Sequence, residues 1–250
     1  MTSDQTSFVA ARVGAIEARP LYLQTRDLLM KRIIDGVWKP GAYLPSEQQL
    51  CGELGVSIGT IRKATEEMVL QGLLERQHGR GTRVVPHSSA KSRFRFLRFV
   101  HADGRALDPV AHLLDQSVRP ATAEERSRLD LDPGGEVLAL TRIRSEAGRP
   151  LVFERLALPA ATFAGLGLKT GEEIVEEVYV FYQERCGVTI LRTVDEVGIA
   201  AADAATAGPL GIGAGTPVLA VRRLAFALDG RRVEHRESFT AHLKYRTALE

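Results

Sequence analysis

A short stretch of the chain presents hydroxyl and cationic side chains at helical spacing. Ile61, Ala64 and Met68 recur at intervals of three and four residues, which predicts the buried face of a helix running from its N-cap, Ser57, to about Gln71. The opposite face carries Gly59, Thr60, Arg62 and Lys63. Small, hydroxyl and basic groups in the first turns of a helix can bind base edges and phosphates in the major groove of DNA.

The residues just after this helix supply a second group of candidate DNA contacts. Gly72 is expected to end the helix, and residues 73–76 and 82–85 are expected to pair as the strands of a hairpin. Glycines at its tip permit a positive φ and let the backbone approach a phosphate or the floor of the minor groove. The hairpin cations are Arg76, Arg80 and Arg83, and the candidate contacts at the tip are His78, Gly79, Arg80 and Gly81.

Local capping signals predict the elements that must position these groups. Ser46 stands where an N-cap belongs, ahead of a helix from Glu47 to about Leu54 that Gly55 ends. A further helix is predicted over residues 21–35, where leucine and isoleucine recur at helical spacing. Two helices joined by a tight turn and followed by a hairpin indicate a winged helix-turn-helix.

Residues 20–85 resemble the winged-helix domain of the GntR family of bacterial transcription regulators. The matching motifs are PLY from Pro20, Ile34 with Gly36, Pro40-Gly41, Leu44-Pro45-Ser46-Glu47, GVS-x-x-T-x-RKA from Gly55 and GRGT from Gly79. Family members often carry arginines, associated with operator contact, at the positions of Gln48 and Ile58. These departures leave the half-site sequence open. The contacts that the resemblance adds are Ser46, Glu47, Gln48, Ser57 and Ile58.

Two arginines in the second half of the chain could bind an anionic group together. Arg142 and Arg144 lie two residues apart in a predicted strand, so both guanidinium groups leave one face and can fork onto a carboxylate or phosphate. The alternative is a pair of exposed arginines in surface salt bridges. Glu154, on the partner strand, would either neutralise them or accept hydrogen bonds from a ligand. The last strand presents a further polar row: Glu234, Arg236, Ser238 and Thr240.

A repeated pattern predicts how these strands are arranged. The motif from Leu129 to Arg142 returns about 81 residues later, from Leu210 to Arg223, and a Gly-Arg pair follows each copy. The repeat predicts two helix-then-hairpin units, turning at 147–148 and 229–230, whose strands share one antiparallel sheet with helices on one face, an α+β fold. The other predicted elements are strands over 94–99, 136–145 and 151–158, a helix from the capping box Thr122–Glu125 to about Leu129, and a helix over 172–185 with Ile174, Val178 and Phe181 inward.

Residues 94–245 resemble UTRA, the effector-binding domain of the GntR branch named after the histidine-utilisation repressor, whose fold is similar to that of chorismate lyase. The matching residues are Arg142-x-Arg144, Gly148-Arg149-Pro150 with Glu154, Leu210-Gly211-Ile212 with Gly215-Thr216-Pro217, and the ending from Glu234 to Tyr245. The resemblance implies that both arginines contact a ligand. The implied effector-binding residues are Arg142, Arg144, Glu154, Glu177, Tyr179, Glu234, Thr240 and Tyr245.

Three of these positions are open to more than one interpretation. Sugar-phosphate-binding members of the family often place a tyrosine where Thr240 stands, which implies a different pocket here. Glu177 indicates an effector with a donor or cationic portion, but it also belongs to a run of glutamates that would be solvated on a helix surface. Tyr179 could equally lie in the core.

Composition limits the remaining classes of protein. The 250 residues allow one large domain or two modest ones. The formal net charge is only +2, yet residues 20–95 hold twelve Lys or Arg against seven Asp or Glu. Cys51 and Cys186 cannot build a disulfide framework, and no apolar run has signal-peptide or membrane-spanning length, so we expect a cytoplasmic protein without membrane contact. No metal or cofactor is expected, because His101 and His112, near Asp103 and Asp108, lack tight ligand spacing and fit solvated loops better.

These patterns favour a ligand-responsive, sequence-specific DNA-binding transcription regulator. The predicted domains are a flexible lead (1–19), a winged helix domain (20–86), a linker (87–93) and a UTRA domain (94–250). We expect a homodimeric repressor on a palindromic double-stranded operator, released by a small anionic or zwitterionic metabolite such as a carboxylate, an amino-acid-like molecule or a phosphorylated metabolite. The alternatives are an enzyme of chorismate-lyase-like fold, for which the sequence offers no phosphate loop, nucleophile elbow or metal cluster, and a ligand-independent DNA-binding protein.

Overall fold

The computed structural model describes residues 19–86, 96–174 and 177–246. An N-terminal part contains three helices and a hairpin, and a C-terminal part is built on a large sheet. The predicted lead, apart from Arg19, and the predicted linker lie outside the described residues.

The N-terminal part is a winged helix-turn-helix. Its helices are α1 (Leu21–Ile34), α2 (Glu47–Leu54) and α3 (Ile58–Leu70), and its strands are β1 (Leu74–Gln77) and β2 (Gly81–Val84). One core joins these elements, and it includes the buried side chains of Leu29, Leu50, Ile61, Met68 and Leu74. Burying a side chain of this size stabilises the fold by about 1.5–3 kcal/mol. The apolar spacing that predicted the helices therefore also directs their packing.

Local hydrogen bonds set the helix boundaries. The Ser46 hydroxyl accepts the Gln49 N–H at 3.3 Å while the Gln49 side chain accepts the Ser46 N–H at 2.9 Å, a capping box that starts α2. Gly55 ends α2 with a φ of +65°, which glycine adopts without a Cβ clash. Ser57 starts α3 by accepting the Thr60 N–H at 3.2 Å. The predicted starts of both helices are confirmed.

The wing hairpin is displaced by one residue from the predicted strands. Gln77 pairs with Gly81, so only residues 78–80 remain as the tip. The prediction began the first strand at Leu73, but the Leu73 N–H donates to the carbonyl of Met68 at 2.9 Å and its side chain is buried. Leu73 therefore belongs to the turn that ends α3, and strand pairing starts one residue later.

The C-terminal part is organised around one seven-stranded antiparallel sheet. After β3 (Phe99–Val100), its strands are β4 (Val110–Pro120), β5 (Glu136–Glu146), β6 (Arg149–Pro159), β7 (Glu173–Ile174), β8 (Ile190–Ala201), β9 (Pro217–Ala227) and β10 (Arg232–Thr240), in the order β7-β4-β5-β6-β10-β9-β8. A separate pair joins β3 to β11 (Lys244–Tyr245). The helices are α4 (Ala123–Leu129), α5 (Ala160–Phe163), α6 (Val178–Cys186) and α7 (Ala204–Leu210). The predicted α+β class is confirmed.

The sequence repeat corresponds to two equivalent units of the sheet. They run β4-α4-β5-β6 and β8-α7-β9-β10, and they meet where β6 pairs with β10. Each unit therefore has one strand more than the helix-then-hairpin unit predicted from the sequence. Helix α4 contacts β10 and helix α7 contacts β6, so each helix packs on a strand of the other unit. The pairing of β6 with β10 places Glu154 beside Ser238, so the polar residues of the two strands lie side by side.

Two predicted elements are wrong in extent. The helix predicted over 172–185 begins only at Val178, because Ile174 is buried beside Ala111 as part of strand β7. Its inward face is also different: Tyr179 and Tyr182 are buried, whereas Phe181 is half-buried. The spacing of apolar residues could not distinguish these faces, since α6 is apolar on several sides.

The strand predicted over 94–99 is confined in the described residues to Phe99–Val100. Alternating aromatic and basic residues suggested a strand, but Phe96 and Phe99, three residues apart, are both buried. The Phe96 ring meets the Tyr179 ring edge-on, with centroids 4.9 Å apart, and its carbonyl accepts a hydrogen bond from Arg223. The Phe96 carbonyl is therefore bonded to the Arg223 side chain and not to a neighbouring strand.

Candidate functional site

The first candidate site is the exposed face of α3. Gly59, Arg62 and Lys63 are exposed and Thr60 is half-buried, as the apolar spacing predicted. Ile58, at the start of the helix, is 41% exposed. On α2 and its cap, Ser46 and Gln48 are exposed and Glu47 is half-buried, and at the wing tip His78, Gly79, Arg80 and Gly81 are all exposed.

The cationic side chains on this surface differ in whether a carboxylate already pairs with them. Arg62 Nε donates to the carboxylate of Glu47 at 2.7 Å, which holds that guanidinium against α2. Within the described ranges, Lys63 and Arg80 take part in no ion pair, and the Lys63 ammonium lies 4.1 Å from the centroid of the Tyr22 ring. These two cations can therefore bind phosphate without first giving up a carboxylate. The wing arginines that do have carboxylate partners are Arg76, with Glu66, and Arg83, with Glu75.

The second candidate site is a buried ion-pair network centred on Glu154. Arg142 Nε and Arg144 Nε donate to one of its oxygens at 2.6 and 3.0 Å. Arg236 Nη1 and Ser238 Oγ donate to the other at 3.4 and 3.1 Å. Burial alone would raise the pKa of Glu154, but the charges of Arg142, Arg144 and Arg236 lower it well below its usual range. Since Arg142 is only 1% exposed, the alternative of surface arginines is wrong.

Glu177 extends the network to the start of α6. Arg144 Nη1 and Nη2 donate to its two carboxylate oxygens at 3.2 and 3.0 Å, a bidentate pair. The side chain is buried, so the alternative of a solvated surface glutamate is wrong. Burial would raise the pKa of Glu177, but the charge and hydrogen bonds of Arg144 lower it. The carboxylate is therefore ionised at neutral pH although it lies inside the protein.

Glu234 is a third buried carboxylate, and it accepts hydrogen bonds from three donors. Tyr179 and Tyr182 hydroxyls donate to its oxygens at 2.9 and 2.7 Å, and Arg236 Nη2 donates at 2.8 Å. Burial would raise the pKa of Glu234, but the charge of Arg236 and the three hydrogen bonds lower it. Burial and the nearby Glu234 charge raise the pKa of both tyrosines, so their hydroxyls stay protonated. Tyr179 is thus both a core residue and part of the polar network.

Arg223 forms the third part of the site. Its Nε and Nη2 donate to the two oxygens of Asp195, each at 2.7 Å, and its Nη1 donates to the Phe96 carbonyl at 2.7 Å. The Tyr245 hydroxyl donates to the same aspartate. Burial would raise the pKa of Asp195, but its bonds with Arg223 lower it.

A small cavity lies among these three groups. Its volume is about 20 Å³, which is enough for about one water molecule. Its lining includes residues 96–99, here called the pocket wall, together with Arg144, Glu154, Arg223 and Arg236. The Phe99 ring meets the Tyr245 ring edge-on, with centroids 5.7 Å apart. A metabolite of several heavy atoms can enter only if part of this lining moves.

Two guanidinium nitrogens of the site are left without a hydrogen-bond partner among the described residues. They are Nη2 of Arg142 and Nε of Arg236, both fully buried. A buried donor without an acceptor destabilises the fold by about 1–3 kcal/mol. The oxygen of a ligand would satisfy these donors, so the site has hydrogen-bonding capacity that the chain does not use.

The predicted effector residues meet at this site with one exception. Arg142, Arg144, Glu154, Glu177, Tyr179, Glu234 and Tyr245 line the cavity or bond to residues that do. Thr240 is buried, but its hydroxyl accepts the His242 N–H at 3.4 Å, and it does not line the cavity.

Sequence reasoning missed three residues of the network, namely Asp195, Tyr182 and Arg223. The repeat could have identified Arg223, because it occupies the position of Arg142 in the second unit. Arg236 and Ser238 were placed on the correct face but were not assigned to the site.

The described ranges contain no group of three or more His, Cys, Asp or Glu side chains that could hold a metal ion. His101, expected in a solvated loop, instead bonds to Glu146 at 2.7 Å and is only partly exposed. None of the helices in the described ranges is long and apolar enough to cross a membrane.

A winged helix-turn-helix followed by a domain with a buried polar pocket defines the class of ligand-responsive DNA-binding regulators. The family model for bacterial regulatory proteins of the gntR family matches residues 21–84, and that for the UTRA domain matches residues 104–246. The chain therefore belongs to the GntR family of transcription regulators, in the group that carries a UTRA domain.

Named relatives and solved structures agree with this assignment. The chain is 28% identical over 215 residues to the transcriptional regulator SmoD of Agrobacterium fabrum, covering 86% of this chain and 89% of that one. It is 28% identical over 220 residues to the transcriptional repressor NagR of Bacillus subtilis, covering 88% and 89%. The ligand-binding domain of a GntR-family regulator from Bordetella bronchiseptica superimposes with a TM-score of 0.57 at 27% identity, covering 63% of this chain and 99% of that one. The prediction of a regulator rather than an enzyme is confirmed by these names.

Proposed function

We propose that this regulator is a homodimeric repressor that binds a palindromic operator and leaves it when a small polar metabolite enters the Arg-Glu pocket. The proposal rests chiefly on the pocket, where Arg142 and Arg236 hold buried donors that have no acceptor among the described residues. The relative NagR is named a repressor, which favours repression over activation. Because the operator lies on the chromosome, the proposed site of action is the cytoplasm.

DNA contact is assigned to α3 and to the wing tip. Exposed Gly59, Arg62 and Lys63 would enter the major groove, and residues 78–81 would meet the neighbouring backbone or minor groove. Gln48 and Ile58 replace the arginines frequent in the family, so we expect an operator half-site of different sequence. The predicted domain boundaries, including a linker over 87–93, are part of this proposal.

The pocket wall offers a route from ligand to DNA. Residues 96–99 line the cavity and stand directly after the predicted linker. A metabolite much larger than one water must displace this wall, because the cavity volume is about 20 Å³. The ligand therefore binds more tightly to a state in which the wall has moved, and binding shifts the population toward that state. As that state becomes more populated, the two linked winged domains would fit one operator less well, and their affinity for it would fall.

The test is a fluorescence titration of the full-length protein with DNA from upstream of its own gene. We expect binding that excess nonspecific DNA does not abolish, and release by at least one compound from a screen of carboxylates, amino acids and phosphorylated sugars. The same screen should raise the melting temperature for compounds that bind the folded state. Absence of specific DNA binding would contradict the proposal, and DNA binding that no pocket ligand affects would favour the ligand-independent alternative.

A further inference from the structure

The charges of the pocket are balanced before any ligand binds. In the described part of the chain the network contains four guanidinium groups and four carboxylates, and every carboxylate is bonded to an arginine. The pKa of each carboxyl is lowered, so all four are ionised at neutral pH. Arg98 also lines the cavity and is half-buried, and it is not one of these eight paired groups. These eight ion-paired groups of the described residues therefore have a net charge of zero.

Glu177 occupies the place where an incoming anion would be stabilised best. It directly precedes the nine-residue helix α6, whose first N–H groups carry partial positive charge, and it makes no capping hydrogen bond with the described residues of that helix. Its two oxygens instead hold the Nη1 and Nη2 atoms of Arg144. An anionic group could reach this position only by displacing a carboxylate that belongs to the chain.

A dianionic ligand would also leave negative charge without compensation. Placing it beside Glu154 and Glu177 adds two negative charges to a buried site whose net charge is zero, and buried charges without partners are strongly unfavourable. A zwitterion or a neutral polyhydroxyl compound adds no net charge. Its oxygens can accept hydrogen bonds from Arg142 Nη2 and Arg236 Nε, and its ammonium or hydroxyl groups can donate hydrogen bonds to the carboxylates.

We infer that the effector carries no net negative charge, and that Glu177 is the residue that excludes phosphate-bearing molecules from the pocket. This inference rests on the proposed function, since it concerns the ligand of the same site. Of the two ligand classes that the sequence left open, anionic and zwitterionic, it selects the zwitterionic one and adds neutral polyols. Glu177 is then a specificity-determining residue, because it competes with a phosphoryl group for Arg144.

The inference can be tested without knowing the effector, with inorganic phosphate as the probe. Full-length wild-type protein, Glu177→Gln and Glu177→Ser are titrated with phosphate, and binding is measured by calorimetry and by the rise in melting temperature. Removing one negative charge next to Arg144 should tighten phosphate binding by about tenfold or more. Phosphate should also restore part of the stability that the variants lose, because it replaces the missing carboxylate.

The matched control is Glu184→Gln, which removes an exposed carboxylate from the same helix and should bind phosphate as weakly as the wild type. Wild-type binding as tight as that of the Glu177 variants would overturn the inference. So would variants that fold, as judged by far-ultraviolet circular dichroism, and still bind no phosphate. Operator binding is measured on the same samples, so a failure of the proposed DNA-binding function is detected separately.

Discussion

Buried charges in this protein depend on one another, and Glu154 is the residue on which most of them converge. It accepts hydrogen bonds from three arginines and a serine, all of them buried. A buried charge that loses its partner destabilises a protein far more than an exposed one does. The network is therefore a point of vulnerability as well as the proposed binding site.

We expect Glu154→Gln to lower the stability of the C-terminal part by roughly 3–5 kcal/mol, because its arginines lose their shared counter-charge. The matched control is Glu237→Gln on the neighbouring strand β10, whose partially exposed pair with Arg222 is worth about 1 kcal/mol or less. Urea unfolding is followed by circular dichroism, and the single Trp38 reports the N-terminal part separately. Equal losses in the two variants would contradict the prediction.

The same network predicts how stability depends on pH. The pKa values of Glu154 and Glu234 are lowered in the folded state, so their ionised forms stabilise the fold above the unfolded pKa of about 4.3 and lose that effect as pH falls through the folded values. We expect melting temperatures that are nearly constant from about pH 6 to 8 and fall steeply below about pH 4. For Glu154→Gln, the melting temperature should fall less steeply with decreasing pH. A wild-type melting temperature that rises on acidification would contradict the prediction.

Strand periodicity made part of this site predictable at the level of single residues. Arg142 and Arg144 had to share a face because they are two residues apart in a strand. Burial of Glu177 was not predictable, since its run of glutamates has the composition of a solvated surface and only the tertiary position of Arg144 draws it inward. Asp195 was missed for the same reason: its partner Arg223 comes from another strand.

At the level of elements, the cations of the DNA surface differ in their contribution. Lys63 on α3 and Arg80 on the wing have no carboxylate partner in the described ranges, whereas Arg62 is held by Glu47. Releasing counterions from phosphates makes DNA affinity depend on salt, and the slope of that dependence falls by about one when the protein neutralises one phosphate fewer.

We therefore expect Lys63→Ala and Arg80→Ala each to reduce the slope of log affinity against log salt by about one, and to weaken nonspecific binding. The control Lys39→Ala removes an exposed lysine that lines a groove together with Leu228 and Arg246 of the C-terminal part and lies outside the proposed DNA-binding residues. Fluorescence titrations at several salt concentrations provide the slopes. A Lys39→Ala slope change as large as the other two would show that this surface has been assigned wrongly.

Element boundaries were predictable where one residue decides them. Ser46, Ser57 and Gly55 set helix ends through their own hydrogen bonds or conformation, and these ends were predicted correctly. The start of α6 and the extent of β3 depend on distant partners, Ala111 for Ile174 and Arg223 for Phe96, and no local signal contains that information. Competition between local pattern and tertiary packing accounts for both errors.

At the scale of the molecule, the repeat gave the sheet its internal symmetry. Two copies of one motif fold into equivalent units that exchange helices across the β6-β10 pair, and the proposed ligand site lies on the polar face that they share. The sequence revealed the two copies, but not their first strands, β4 and β8. These strands place apolar side chains on the exposed face, so the alternation of apolar and polar residues that marks a strand is interrupted at Val118, Val194, Val197 and Ile199. Leu228, in the turn after β9, also packs into the core of the winged helix, an interaction that neither domain's own pattern could indicate.

A single winged domain offers few free cations, so one half-site should bind weakly. With Lys63 and Arg80 as the unpaired cations of the described recognition surface, the proposed homodimer would gain affinity and specificity from two linked domains that engage two half-sites at once. The two half-sites must then face the same side of the duplex, at a spacing of about one helical turn or a multiple of it.

Inserting about 5 bp between the half-sites turns one of them to the opposite side, and we expect affinity to fall at least about 100-fold. The measurement uses a palindromic duplex selected from a random library by the full-length protein, with a substitution of equal length outside the half-sites as control. Unchanged affinity after the insertion would mean that each winged domain binds alone, and the homodimeric repressor would have to be abandoned.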